Sequence, residues 1–125
     1  MMMESEEFMS LVEQAVEGLP KIFRDRLENI AITVEDYPSP AVLRSLEEPA
    51  GRRSLLGVYI GIPYNSRPAG PISGKLPDRI ELYQRNIESV CRTPQEVVEQ
   101  VRETIIHEVG HYFGLSEEDL DKLGT

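Results

Sequence analysis

The segment from Ile105 to Glu117, I-I-H-E-V-G-H-Y-F-G-L-S-E, contains both histidines of this 125-residue chain. His107 and His111 are four residues apart, and on an α-helix such residues lie one above the other on the same face. Both imidazoles can therefore reach one metal ion. Glu108 lies about 100° around the helix from His107, because one turn holds about 3.6 residues. This spacing places its carboxylate beside the metal, where it can accept a proton from a bound water.

The spacing extends beyond the two histidines. His107 to His111 spells H-E-x-x-H, the motif of zinc hydrolases. Gly114 and Glu117 stand where the longer pattern H-E-x-x-H-x-x-G-x-x-(H/D/E) has its turn glycine and its third ligand. A glycine accepts the left-handed conformation that lets a chain leave a helix and double back at once. Glu117 would supply one carboxylate oxygen as a ligand beside the two imidazole nitrogens. This set leaves the fourth coordination position of zinc open, as in catalytic sites.

The third ligand has alternatives. Ser116 has the character of an N-cap for a short last helix, Glu117 to Leu123, and the acids that follow it favour a first helical turn in any case. Glu118 and Asp119 are therefore the other candidates for the third ligand. Two imidazoles and a carboxylate favour zinc as the metal, although the same ligand set also suits iron or nickel.

Composition narrows the class of protein. A length of 125 residues predicts one domain, residues 1–125. The formal net charge of −9 and the sequence pI near 4.7 argue against nucleic acid as a partner, because phosphate binding needs clustered Lys and Arg. The single cysteine, Cys91, excludes an internal disulfide and suits a reducing compartment. It is a poor candidate nucleophile, because both histidines are committed elsewhere.

The chain shows no sign of export or of membrane insertion. Its first residues, Met-Met-Met-Glu-Ser-Glu-Glu, lack the basic start and the apolar run of a signal peptide. No stretch of the sequence approaches the length of a membrane span. We therefore expect a cytoplasmic protein with no membrane partner.

Apolar periodicity predicts the helices. Phe8 to Leu19 carries apolar residues at helical spacing and predicts an amphipathic helix capped by Ser5, and a short helix should follow from Pro20 to Leu27. Thr93-Pro94-Gln95-Glu96 combines an N-cap threonine, a proline at the first helical position and a glutamate at the third, which is a capping box. The helix that begins there should continue to about Phe113. Its buried face is marked by Val97, Val98, Val101, Ile105, Val109 and Phe113.

Three segments have the character of strands: Asn29 to Glu35, Ser54 to Ile62 and Arg79 to Gln84. Asp36 to Gly51 is predicted as a loop with one helical turn. Pro63 to Pro77 is a long loop, which suits either a functional element or surface disorder. The fold class is therefore α+β, a small mixed sheet packed on N-terminal helices and on the long helix that carries the motif.

This arrangement resembles the zincin class of metallopeptidases, and over nearly the whole chain a small bacterial zincin-like family. The resemblance is carried by Phe8 to Val12, Leu27 to Asp36, Leu55 to Tyr59, Leu76 to Ile80 and His107 to Glu117. It implies a minimal zincin-like domain with Zn²⁺ at His107, His111 and an acid near Glu117, and with Glu108 as the general base. The function that we expect is that of a zinc-dependent metallopeptidase acting on a peptide or protein substrate.

Substrate binding can be sketched from the same sequence. An extended peptide would pair with an exposed strand edge, and Leu55 to Ile62 is the candidate. Stabilisation of the transition state needs a further hydrogen-bond donor. Tyr59, Tyr83 and Tyr112 are available for this role, and the sequence assigns it to none of them.

Two other functions remain open at this stage. One is a non-catalytic metal-binding module, in which the run Glu117-Glu118-Asp119 supplies a fourth ligand and closes the site. The other is a metal-dependent endoribonuclease, because some of these enzymes use the spacing H-x-x-x-H-x-x-x-x-x-H. Glu108, the acid at position 117 and the scarcity of basic residues for phosphate contacts argue against the nuclease.

Overall fold

The computed structural model describes residues 2–46, 49–61, 78–114 and 118. The described helices are α1 (Ser5–Glu17), α2 (Lys21–Leu27), α3 (Pro40–Ser45), α4 (Gln84–Ser89) and α5 (Pro94–Tyr112). The described strands are β1 (Ala31–Glu35), β2 (Gly57–Ile60) and β3 (Arg79–Tyr83). The long loop expected from Pro63 to Pro77 lies outside the described residues. So does the expected last helix, Glu117 to Leu123, except for Glu118.

The described strands form one mixed sheet. Its order is β1-β3-β2, with β1 parallel to β3 and β2 antiparallel to β3. Ala31 lies opposite Arg79 in the parallel pair, and Ile60 lies opposite the same residue in the antiparallel pair. The chain between β1 and β3 passes through α3 and β2, and a parallel pairing requires a long connection of this kind. The α+β class with a small mixed sheet is therefore confirmed.

The core lies between the sheet and the apolar faces of α1 and α5. Phe8, Val12 and Ala15 face inward from α1, and Ile80 and Leu82 are fully buried on β3. From α5 the buried face consists of Val97, Val98, Val101, Ile105, Ile106 and Val109. Burial of such side chains supplies the main driving force of folding. Within the described residues, none of the helices is both long and apolar enough to cross a bilayer.

Helix α5 begins as the capping sequence predicts. The Oγ1 atom of Thr93 accepts a hydrogen bond from the backbone N–H of Glu96 at 3.1 Å, and Pro94 occupies the first turn. The carboxylate of Glu96 reaches back to the backbone N–H of Arg92 at 3.3 Å, one residue before the position that a capping box uses. The helix ends at Tyr112, so Phe113 is its C-cap rather than its last residue. The prediction that Phe113 belongs to the buried face is wrong, because this residue is 40% exposed.

Helix α4 is an element that the sequence pattern did not reveal. Its first residue, Gln84, directly follows the last residue of β3, Tyr83, so the strand ends one residue earlier than predicted. Three of its polar side chains, those of Gln84, Asn86 and Glu88, are almost completely buried. The Nδ2 atom of Asn86 donates to the carbonyl oxygens of Arg52 and Leu55 at 2.8 and 2.7 Å. These bonds hold the segment before β2 in place.

Several element boundaries differ from their predictions. Ser5 is not the cap of α1 but its first residue, and Glu4 holds the N-cap position without a side-chain hydrogen bond. Pro20 is the N-cap of α2 rather than part of its first turn. The first strand begins at Ala31, because a turn hydrogen bond joins the N–H of Ile30 to Leu27. The second strand was predicted from Ser54 to Ile62 and begins only at Gly57. Ser54 belongs instead to a turn in which its N–H donates to the carbonyl oxygen of Gly51.

Loss of the α5 cap should destabilise the fold without changing the metal site. We expect Thr93→Ala to lower the free energy of unfolding by about 1 kcal/mol, because one backbone N–H of the first turn loses its acceptor. Thr93→Ser keeps the hydroxyl and serves as the matched control. Urea denaturation of the three proteins measures the effect. A Thr93→Ala protein as stable as the Thr93→Ser protein would contradict the capping role.

Candidate metal centre

His107 and His111 lie on one face of α5, near its C-terminal end. Their ring centroids are 5.8 Å apart with an interplanar angle of 69°. The side chain of His107 is half-buried and that of His111 is exposed. Zinc–nitrogen bonds of about 2.0–2.1 Å and tetrahedral angles place the centroids of two zinc-bound imidazoles about 5 Å apart. The pair therefore fits a shared metal ion after a small side-chain adjustment.

Glu108 is held between α5 and the edge of the sheet. Its Oε1 atom accepts a hydrogen bond from the backbone N–H of Tyr59, on β2, at 3.0 Å. Burial raises the pKa of this carboxyl group, while the Tyr59 N–H and the nearby imidazoles of His111 and His107 lower it, and burial prevails. A carboxyl group with a raised pKa is better matched to accepting a proton near neutral pH. This environment is typical of catalytic acids and bases.

The end of α5 adopts the conformation that the motif predicts. Gly114 has a φ angle of +79°, in the left-handed region, and its N–H donates to the carbonyl oxygen of His111 at 3.1 Å. The N–H of Phe113 donates to the carbonyl oxygen of Val109 at 3.0 Å. The expected turn at Gly114 is therefore confirmed, and the helix ends one residue after the second histidine.

The third ligand stays a prediction. Glu117 lies outside the described residues, as do Ser116 and Asp119. Glu118 is described, helical and exposed. Within the described part of the chain, His, Cys, Asp and Glu side chains form no group of three that could hold a metal ion. The two histidines and Glu108 are thus brought together by the structure, and the acid that would complete the set is assigned by spacing alone.

Aromatic residues fix the last turn of α5 against β2, a contact that the sequence pattern did not predict. The rings of Tyr59 and Tyr112 are stacked at a centroid distance of 3.9 Å. The hydroxyl group of Tyr59 donates to Asp78 at 2.8 Å. A Cβ atom at Gly61 would lie 2.6 Å from the Tyr112 ring, so a larger residue there would displace the ring from its present position. The signal in the sequence was a tyrosine directly after the second histidine, but its contact with β2 is not local.

The third tyrosine that the sequence offered serves packing. Tyr83 is completely buried, and its hydroxyl group donates to Glu81 at 2.8 Å. Burial and this neighbouring carboxylate raise the pKa of the phenol far above its ordinary value. It therefore stays a neutral phenol and belongs to the core.

Cys91 is a structural residue. Its side chain is buried, and burial, followed by the charge of Glu96, raises the pKa of the thiol. A thiol of this kind is a weak nucleophile, because the thiolate is the reactive form. The structure supports the expectation that Cys91 takes no part in chemistry.

Comparison with known proteins identifies the class. The family of zincin-like metallopeptidases matches residues 27–125, so the chain belongs to that family. No curated protein sequence matches it. Among solved structures, a conserved hypothetical protein from Thermus thermophilus is similar, at 26% identity over 88% of this chain and 94% of that chain, with a TM-score of 0.52. Membership indicates metallopeptidase chemistry at the level of the family and zinc as its usual metal.

The turn glycine provides a direct test of the helix end. We expect Gly114→Ala to destabilise the protein by about 1–2 kcal/mol, the cost of a left-handed conformation for a residue with a Cβ atom. Apart from Gly114 itself and its immediate neighbours in the chain, no heavy atom of the described residues lies within 4 Å of that Cβ position, so the loss comes from the backbone conformation rather than from a clash with packed side chains. Gly114→Asn should lose less, because asparagine tolerates this region. Thermal unfolding distinguishes them, and equal losses would contradict the backbone explanation.

The burial of the Cys91 thiol can be tested by its rate of alkylation. We expect Cys91 in the native protein to react with iodoacetamide at about pH 8 at least about tenfold more slowly than in urea, because burial limits both access and ionisation. Mass spectrometry follows the modification over time. Equal rates in the native and unfolded protein would show that the thiol is accessible and ionised.

Proposed function

We propose that this protein is a zinc-dependent peptidase in which His107, His111 and Glu117 hold the metal and Glu108 is the general base. The observation that carries the proposal is the position of Glu108, whose carboxylate follows the first histidine and is fixed by the Tyr59 N–H at 3.0 Å. A chance pair of histidines on a solvated helix would not require a half-buried acid between them.

The donor set supports zinc. The two imidazoles are within reach of one ion, and Glu117 would add a carboxylate oxygen, which leaves a coordination position open. When bound, zinc supplies Lewis-acid chemistry, which activates water and polarises a carbonyl group. Every further role in the mechanism falls to side chains of the protein.

Glu108 is suited to moving the proton. Its Oε1 atom is engaged by the Tyr59 N–H, which orients the carboxylate and leaves the second oxygen to accept a proton from the attacking water. The same oxygen would return that proton to the leaving amine. Because burial raises its pKa, the carboxyl group is closer to the value that favours transfer in both directions.

The edge strand is suited to binding an extended substrate. In the described sheet β2 lies at one side, and the carbonyl oxygen of Leu56 accepts from the N–H of Tyr83 on β3. Backbone polar groups alternate in direction along a strand, so those of Gly57 and Tyr59 are turned away from β3. Gly57 is buried and the Tyr59 N–H is bound to Glu108. An incoming peptide in extended form would therefore lie beside this strand, next to Glu108, rather than pair with Gly57 and Tyr59 as an added strand. We propose a peptide or protein substrate met in the cytoplasm, and neither nucleic acid nor membrane as a partner.

Metal analysis tests the site. We expect about one zinc ion per chain in the wild-type protein and in Glu108→Gln, because Glu108 is not a ligand. His111→Ala and Glu117→Ala should lose the metal, because each removes one of only three protein ligands and the two that remain bind zinc much more weakly. Elemental analysis of the purified proteins, with circular dichroism as the control for folding, measures this. A folded wild-type protein that takes up no zinc when it is supplied would overturn the proposal.

Peptide cleavage tests the chemistry. We expect Glu108→Gln to lower kcat by about 10²–10⁴-fold relative to the wild-type protein, the usual contribution of a general base, while zinc content is unchanged. Mass spectrometry of a peptide mixture identifies the products. A zinc-loaded wild-type protein that cleaves no more than Glu108→Gln would indicate a non-catalytic metal-binding module instead.

A further inference from the structure

A second feature adjoins the proposed site and is not needed for the general-base chemistry. A cavity of about 320 Å³ opens between α5 and the segment that leads into β2. His107 and Glu108 form one end of its lining, and Thr104, Glu103 and Gln100 continue it along the helix. These residues lie at helical spacing on one face of α5. The cavity therefore begins at the candidate metal centre and extends toward the start of the helix.

The opposite wall of the cavity is held in place. It consists of Ala50, Ser54, Leu55, Leu56 and Gly57. The buried side chain of Asn86 binds the carbonyl oxygen of Leu55 at 2.7 Å. At the floor, a Cβ atom on Gly57 would come within 2.9 Å of the Thr104 methyl group, so strand and helix touch there. The cavity is thus a preformed part of the fold.

Size and chemistry indicate what would fill it. A volume of about 320 Å³ stands at the lower limit for ligand pockets, which run from about 300 to 1,000 Å³, so it suits one substrate side chain. The described lining offers apolar surface from Leu55 and Leu56, and it includes the acids Glu103 and Glu108 but neither Lys nor Arg. Long basic side chains lay an aliphatic stem along apolar surface and keep the charged head near polar groups.

We infer that this cavity is a specificity pocket for a lysine or arginine side chain of the peptide substrate, with Glu103 as the residue that binds its charged head. The inference rests on the proposed function, because it names the substrate class of that same site. Glu103 lies one turn from His107, about 6 Å along the helix axis. An extended peptide advances about 3.3 Å per residue, so the basic residue belongs within about two positions of the scissile bond.

Binding measurements on a variant that cannot turn over test the pocket directly. The probes are fluorescein-labelled peptides of one sequence in which a single position is Arg, Lys, citrulline, norleucine or Glu. The protein is Glu108→Gln, with and without added zinc. We expect the Arg and Lys peptides to bind about fivefold more tightly than the norleucine peptide, the factor given by about 1 kcal/mol for an ion pair at a partly exposed site.

Two substitutions in the same background separate the pocket from the general charge of the protein. Glu103→Gln should remove most of the preference for Arg and Lys. Glu99→Gln removes the same charge one turn earlier on α5, outside the described lining, and should leave the preference unchanged. Equal affinity for the five peptides, or an equal loss of preference in both variants, would overturn the inference.

Cleavage by proteins with an intact Glu108 completes the test. The wild-type protein should cut mixed peptides at a constant distance from a basic residue, and Glu103→Gln should raise KM for these peptides with little change in kcat, because the pocket binds rather than reacts. Zinc-dependent cleavage without regard to basic residues would leave the proposed function intact and refute the pocket. Glu103-dependent binding of basic peptides by a protein that cleaves nothing would refute the peptidase function and leave the pocket intact as a binding site.

Discussion

The rotation of α5 about its own axis is the constraint on which the candidate site depends. Val97, Val101, Ile105 and Val109 repeat at helical spacing and are buried against α1 and the sheet. With this face fixed, the positions that carry His107, Glu108 and His111 fall at the border of the core. There Glu108 reaches β2 while His111 stays exposed. A change of rotation by one residue, about 100°, would bury a histidine or expose the acid.

Contacts at the C-terminal end of the helix hold this rotation in place. Tyr112 stacks on Tyr59, and Tyr59 is bound through its hydroxyl group to Asp78 and through its N–H to Glu108. One residue of β2 therefore touches both the proposed general base and the turn that follows the second histidine. Because aromatic stacking adds about 0.5–1.5 kcal/mol beyond burial, this contact stiffens the part of the helix that precedes the turn. The guanidinium group of Arg26 lies over the Phe113 ring, 4.2 Å from its centroid, and extends the contact to α2.

The sequence predicted those parts of the fold whose causes are local. The cap at Thr93, the proline that follows it and the left-handed turn at Gly114 depend on residues a few positions apart, and all three are confirmed. The same holds for the class of the fold, since the apolar periods of helices and strands are visible in the chain. The pairing of His107 and His111 on one face of α5 also follows from spacing alone.

Most of the errors concern features that depend on residues far apart in the sequence, and one concerns a local shift of a helix start by one position. Helix α4 was missed because all but one of its buried side chains are polar, the exception being Ile87. Asn86 can be buried because the carbonyl oxygens of residues 52 and 55 lie within reach of its amide group. The capping position predicted for Ser5 belongs to Glu4, since a serine at a helix start can stand one position inside as well. Tyr59 on β2 and Tyr112 on α5 are in contact although they are far apart in the sequence. The spacing of apolar residues within a helix or strand does not predict such a contact.

Two carboxylates withdrawn from solvent show how the same side chain serves structure in one place and suits chemistry in another. Glu88 is 2% exposed and accepts hydrogen bonds from the Met3 N–H, from Gln84 and from Arg85. A buried charge satisfied in this way anchors the segments around it. Glu108 has one hydrogen bond within the described residues, from a neutral amide, and its pKa is raised. Stability alone would favour an apolar residue at that position, because a poorly compensated carboxylate costs free energy. The chain keeps an acid there beside two histidines, which is the arrangement expected where a proton must be taken up and released.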